Sequence, residues 1–266
     1  KALIKGFPQL REQNYFSRKP KRSWNEAKPN EKTRNNGNSN AINFNDYKKF
    51  NKKIELIPRN RRQEDYIYNL LSPDLSIVFA TGPAGTGKTM LAVLAAIKAL
   101  KEGDIKKIVV TRPAVGVDGE KHGFLPGDLN QKMEPWTRPI FDVLHEHYTP
   151  KDTEMMLQEQ ILEISPLAFM RGRTFKDSYI IADEMQNATP GQMKMLLTRL
   201  GEGSRMVVTG DVMQADRKGE DNGLLDFDQL LQKFGDSKFI GWTAFGYKDI
   251  ERHPAVAEVL KIYGDE

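Results

Sequence analysis

From Ile54 onward, short apolar runs that do not alternate with polar residues recur along the chain, separated by longer stretches with helical spacing. Such continuous runs, rich in Val and Ile, predict strands buried on both faces. Five are read: Ser76–Ala80, Lys107–Thr111, Tyr179–Ala182, Met206–Thr209 and Phe239–Thr243. Met90–Leu100 carries a helical pattern directly after the first. Strands alternating with helices predict an α/β fold, a mostly parallel sheet flanked by helices. No internal repeat is apparent. Residues 1–53 are different, because they lack sustained apolar periodicity and are rich in Asn, Lys, Arg and Pro. They read as an irregular N-terminal arm, and 54–266 as one folded domain.

Charge sharpens that division. The arm holds 14 Lys+Arg against 4 Asp+Glu, net +10, and the remaining residues hold 26 against 32, net −6. A basic arm of this kind binds phosphate backbones, docks on an acidic neighbouring subunit, or simply keeps the chain soluble. The absence of cysteine excludes disulfides, thiolate metal sites and a Cys nucleophile, and fits a reducing, cytoplasmic setting. Four scattered His residues form no convincing ligand cluster. The longest apolar stretches, such as Leu91–Ile97, are far short of the roughly 20 residues of a membrane helix, so neither membrane insertion nor secretion is expected.

The chemistry sits at the carboxyl ends of the predicted strands, where loops and helix N-termini converge in open α/β sheets. Gly82-Pro83-Ala84-Gly85-Thr86-Gly87-Lys88-Thr89 satisfies G-x-x-x-x-G-K-[ST] between a strand and a helix. Its glycines let backbone N–H groups wrap phosphates, Lys88 bridges the β- and γ-phosphates of ATP, and the Thr89 hydroxyl ligates Mg²⁺. Asp183 and Glu184 end the 179–182 strand, which is read as adjoining the phosphate loop. Asp183 is the candidate for the Mg²⁺ shell and Glu184 for the base that polarises water; an acidic pair is otherwise a solvated strand end. Gln214, in Thr209-Gly210-Asp211-Val212-Met213-Gln214, is a candidate reader of the γ-phosphate, able to donate to it and accept from water. Upstream, Gln63 in Arg59-Asn60-Arg61-Arg62-Gln63 is either a bidentate reader of the adenine edge or a surface residue.

Taken together, these stretches resemble the PhoH-like protein family, P-loop ATPases related to the RecA-like core of superfamily-one helicases. The resemblance is carried by Val110-Thr111-Arg112-Pro113-Ala114-Val115, Gly123-Phe124-Leu125-Pro126-Gly127-Asp128-Leu129, Met170-Arg171-Gly172-Arg173-Thr174-Phe175, Asp183-Glu184-Met185-Gln186-Asn187, Thr209–Gln214 and Arg252-His253-Pro254. It covers nearly all of 59–263 and leaves out the arm. Met185 stands where the family usually has a small Ala, and His122 interrupts a family run. What the resemblance implies is a single RecA-like P-loop core that hydrolyses ATP with Mg²⁺.

From the P-loop to Glu266 there is room for one five-stranded core, whereas a monomeric helicase closes ATP between two. A homo-oligomer is therefore expected, hexameric by resemblance, with ATP at subunit boundaries and an arginine supplied in trans. Arg252 is the first candidate for that arginine, and Arg171 and Arg173, in the loop before Asp183, are alternatives; each is otherwise a structural ion pair or surface cation. Arg112 follows a strand read as lying beside the P-loop strand, and either contacts nucleic acid or a subunit, or braces Glu184. Trp136 and Arg138 either stack on a base or serve packing or a subunit contact, the latter favoured, and the Met193/Met195 pair reads as core rather than a recognition surface. The leading expectation is an ATPase that remodels RNA or single-stranded nucleic acid. The alternative is a nucleotide-gated assembly or adaptor module that recruits an RNA-processing partner, a nuclease included, since no PIN-type nuclease domain is read in the chain.

Overall fold

The structure is a computed structural model that describes residues 53–113, 129–213, 222–251 and 253–263. The basic arm, save its last residue, therefore lies outside the described residues, as do Gln214, Arg252, His122 and the 123–128 motif. The side chain of Trp136 does too.

Element order is α1 (Arg61–Leu71), β1 (Ile77–Thr81), α2 (Lys88–Glu102), β2 (Lys107–Thr111), α3 (Leu129–His145), α4 (Pro150–Gln158), β3 (Leu162–Ile164), β4 (Ser178–Ala182), α5 (Pro190–Leu197), β5 (Arg205–Gly210), α6 (Gly223–Phe234), β6 (Ile240–Ala244) and α7 (Pro254–Tyr263). The strands form one sheet in the order β3-β2-β4-β5-β1-β6. Every pairing is parallel.

The apolar runs become strands because both faces of the sheet are covered. Val78, Ala80, Ile108, Val110, Tyr179, Ile181 and Val207 pack with α1, α2, α3 and α4. Their alternates Phe79, Val109, Ile180, Ala182, Met206 and Val208 pack with α5 and α6 on the other face. Phe79 is the centre of an aromatic stack, 4.5 Å from Trp242 and 5.1 Å from Phe227 between ring centroids. Met185 is fully buried in the second cluster, so the bulk that departs from the family pattern is absorbed by the core. Met193 is buried there as well, as expected of packing.

Two expectations are corrected. Among the described residues the sheet has six strands rather than five, because Leu162–Ile164 pairs with β2 at an edge. A three-residue strand containing Glu163 gives too short an apolar run to be recognised. β5 lies between β4 and the P-loop strand β1, yet the end of β4 reaches the phosphate loop, where Asp183 accepts from Thr89. β2 is not beside β1, because β4 and β5 separate the two, and Arg112 thus stands at the far end of the site.

Candidate phosphate-binding site

The glycine run closes the gap between β1 and α2 as a tight loop. Gly82 has φ +133°, and a Cβ there would lie 2.3 Å from the Phe245 carbonyl oxygen, so only glycine lets the loop leave β1 against the end of β6. Helix α2 begins at Lys88, two residues earlier than expected, which puts the motif's last two residues in its first turn. The N-terminal N–H groups and the positive end of the helix dipole face the loop.

The loop is braced from outside. Asn60 caps α1 by accepting from the Gln63 N–H, and the buried Gln63 amide accepts from Arg59 N (2.9 Å) and donates to the Thr86 carbonyl (3.0 Å). Both ends of that amide are committed to backbone. Reading an adenine edge would require exchanging them, so the geometry displays Gln63 as a brace of the loop. A second brace is Glu251 N–H, which donates to the Gly85 carbonyl (2.9 Å), while Asn60 donates to Glu251 (3.0 Å).

Inside the loop the Lys88 ammonium folds back onto the carbonyls of Gly82 (2.7 Å) and Pro83 (2.8 Å). Those bonds satisfy a nearly buried cation. Opposite it, Thr89 Oγ1 donates to Asp183 Oδ1 at 2.8 Å. Thr209, at the end of β5, donates to the same oxygen. Thus β5, wedged between β1 and β4, ties the acid to the loop across its own width. Asp183 is also fixed through its N–H to the Thr111 carbonyl (2.9 Å).

Glu184 follows in a left-handed conformation, φ 55° and ψ 39°. Such backbone in a non-glycine residue costs about 1–2 kcal/mol and is held only where the surroundings dictate it. Its carboxylate accepts from Gln186 Nε2, and Arg112 stands 4.0 Å from its other oxygen. A cavity of about 260 Å³ opens between these elements, lined by the loop, Lys88, Thr89, Asp183, Glu184 and the Gly210-Asp211 end of β5. It is lined by the acidic pair and by the backbone of the glycine-rich loop.

The arginines separate. Arg173 forms a two-pronged pair with Glu163 of β3 and lies over the Phe175 ring, 4.5 Å from its centroid. Burial alone would raise the Glu163 carboxyl, but hydrogen bonds from Arg173 and Lys107 hold it below the usual range. This is the structural ion pair, away from the cavity. Arg171 is exposed in the same loop. Residues that sequence reasoning missed are Thr209, Gln186 and Glu163. The first two stand inside recognised motifs, but their roles depend on β5 lying beside β4, which no motif spells out.

The profile of the family described as PhoH-like protein matches residues 55–264. The chain belongs to the PhoH-like protein family. Among curated relatives, the PhoH-like protein of Bacillus subtilis (strain 168) is 50% identical over 202 residues, which cover 76% of this chain and 61% of that protein. Protein PhoH of Escherichia coli (strain K12) is 40% identical over 211 residues, covering 78% and 58%. The chain spans about three fifths of the length of these relatives. Among solved structures, the Sulfolobus solfataricus SWI2/SNF2 ATPase core in complex with dsDNA is 17% identical with a TM-score of 0.41, over 72% of this chain and 45% of that one. The PhoH-like residues 55–264 carry the P-loop motif Gly82–Thr89 on a parallel sheet, and no helix among the described residues is long and apolar enough to cross a membrane.

Proposed function

We propose that this PhoH-like chain is a Mg²⁺-dependent ATPase that hydrolyses ATP to ADP and phosphate, acting as a homo-oligomer on RNA or single-stranded nucleic acid. The observation that carries the reading is the single junction at which Thr89, Asp183 and Thr209 meet, with Glu184 one residue further along the same cavity wall. A hydroxyl and one carboxylate are hard oxygen donors that suit Mg²⁺, which is held by one or two carboxylates together with substrate phosphates.

Mg²⁺ held by Thr89 and Asp183 would supply Lewis-acid neutralisation of the charge that develops on the phosphates. The remaining work belongs to the chain. Thr89 and Asp183 fix the metal's place. Lys88 exchanges the Gly82 and Pro83 carbonyls for phosphate oxygens, and the loop N–H groups hold the polyphosphate. Glu184 accepts a proton from water as its oxygen bonds to the γ-phosphorus and the bond to the ADP oxygen breaks. Gln214 is proposed to read the γ-phosphate and Arg252 to supply the trans cation, in a hexameric ring.

A second reading is favoured by one observation. The Glu184 carboxylate is engaged by Gln186 and faced by Arg112, so water must compete for it. That supports slow turnover in a nucleotide-gated module that recruits an RNA-processing partner. Steady-state hydrolysis with Mg²⁺, with and without single-stranded RNA, on protein of mass determined in the same buffer, separates the two. Strong stimulation of an oligomer supports the RNA-directed ATPase. Unstimulated turnover with an ATP-dependent change of mass supports the gated module.

A further inference from the structure

We infer that Gln186 is a positioning residue that aims the Glu184 carboxylate and ties it to the backbone of the loop leaving β5. The inference rests on the reading of Glu184 as the base. Gln186 is 3% exposed in a short turn of 3-10 helix, Met185–Asn187, and its amide is used at both ends. Nε2 donates to Glu184 Oε2, and Oε1 accepts from Asp211 N–H at 3.1 Å. One side chain therefore spans from the acid after β4 to the first residue beyond β5.

The space around it is built to keep that bridge. A Cβ at Gly210 would stand 2.7 Å from Gln186 Oε1 and 3.1 Å from its backbone nitrogen, so β5 ends in a residue without a side chain where the amide passes. Glu184 reaches its amide donor from left-handed backbone, with Arg112 on the other flank. The carboxylate is thus held by one neutral donor and faced by one cation, and the neutral donor is connected to the β5 loop. A shift of Asp211 would pull on Oε1 and turn the amide, and so move Glu184 Oε2 out of its aim. Use of the base is in this way made conditional on the position of the loop that follows Gly210.

The role is one of aim rather than of binding, since Gln186 does not line the cavity. The test uses the full chain with Gln186→Met, which keeps length and loses both hydrogen bonds, and Gln186→His, whose imidazole keeps a donor at similar reach. In Gln186→Met, kcat for ATP should fall about 10–100-fold, as expected for a misaimed base, while KM and the Kd for MgATP change less than about threefold. Gln186→His should recover a large part of the lost kcat. Wild-type kcat in Gln186→Met, a loss of Kd equal to the loss of kcat, or no recovery in Gln186→His would each overturn the role. Glu184→Gln, measured alongside, keeps the two readings apart. If it is fully active the base assignment fails, whereas an inactive Glu184→Gln beside a fully active Gln186→Met removes only the positioning role.

Discussion

Two glycines with positive φ make opposite demands on a β-carbon, and comparing them tests the packing of the phosphate loop. At Gly103, which ends α2 with φ +81°, an added Cβ would meet nothing within 4 Å. Gly103→Ala therefore adds only backbone strain, about 1 kcal/mol. At Gly82, with φ +133°, the Cβ would lie 2.3 Å from the Phe245 oxygen and 2.9 Å from its carbonyl carbon. Strain there is about 1–3 kcal/mol, and the end of β6 must also move away. That movement threatens the bond from Phe245 N–H to the Thr81 carbonyl, 2.7 Å, worth about 1 kcal/mol more. For a core of this size each kcal/mol lowers Tm by about 2–4 °C, so Gly103→Ala should cost about 2–4 °C and Gly82→Ala about 5–15 °C. The assay is thermal denaturation of both variants, followed by ATP titration at a temperature where both are folded. Gly82→Ala should lose at least about tenfold in affinity, while Gly103→Ala stays within about twofold, because only the former reshapes the loop. Equal losses of Tm, or unaltered ATP affinity in Gly82→Ala, would refute the reasoning.

Other outcomes follow from the same structure. Because the Glu163 carboxyl is depressed in the fold, it stabilises at pH above its unfolded value of about 4.3 and loses that contribution as pH falls through the lower folded value. Glu163→Gln should accordingly cost most near neutrality and progressively less below about pH 4, read from denaturant midpoints across pH. Trp242→Phe removes the indole N–H donated to Thr81 Oγ1 at 3.2 Å and should cost about 1 kcal/mol with an unchanged urea m value. Deleting residues 1–53 should weaken RNA binding and flatten its salt dependence if the arm carries phosphate contacts; unchanged affinity returns the arm to an assembly or solubility role. Mixed Glu184→Gln and Arg252→Ala subunits, each inactive alone, should regain hydrolysis under proven subunit exchange, and failure to do so counts against a shared boundary site.

Parts of this site are legible in local sequence. The glycine run, its lysine and threonine, and the acidic pair after Tyr179–Ala182 announce themselves because each lies within a few residues of a buried apolar run, and the five expected strands fall within one or two residues of β1, β2, β4, β5 and β6. What local pattern does not carry is lateral order. That Thr209 bonds Asp183 follows from β5 lying between β1 and β4, a consequence of tertiary packing rather than of spacing along the chain. β3 escapes notice because Glu163 interrupts it, and Glu163 tolerates that position because Arg173 and Lys107 pair with it. Gln63 looks like a free amide in sequence, yet its two backbone partners, at Arg59 and Thr86, become evident only once α1 is laid beside the loop.

The central claim is that the loop of Gly82–Thr89 binds ATP and that Glu184 drives its hydrolysis. Its most direct test measures MgATP binding and single-turnover hydrolysis side by side for the full chain, Lys88→Ala and Glu184→Gln. The account predicts that Lys88→Ala loses tight binding, whereas Glu184→Gln retains it and hydrolyses at least about a hundredfold more slowly. Wild-type hydrolysis in either variant would contradict it.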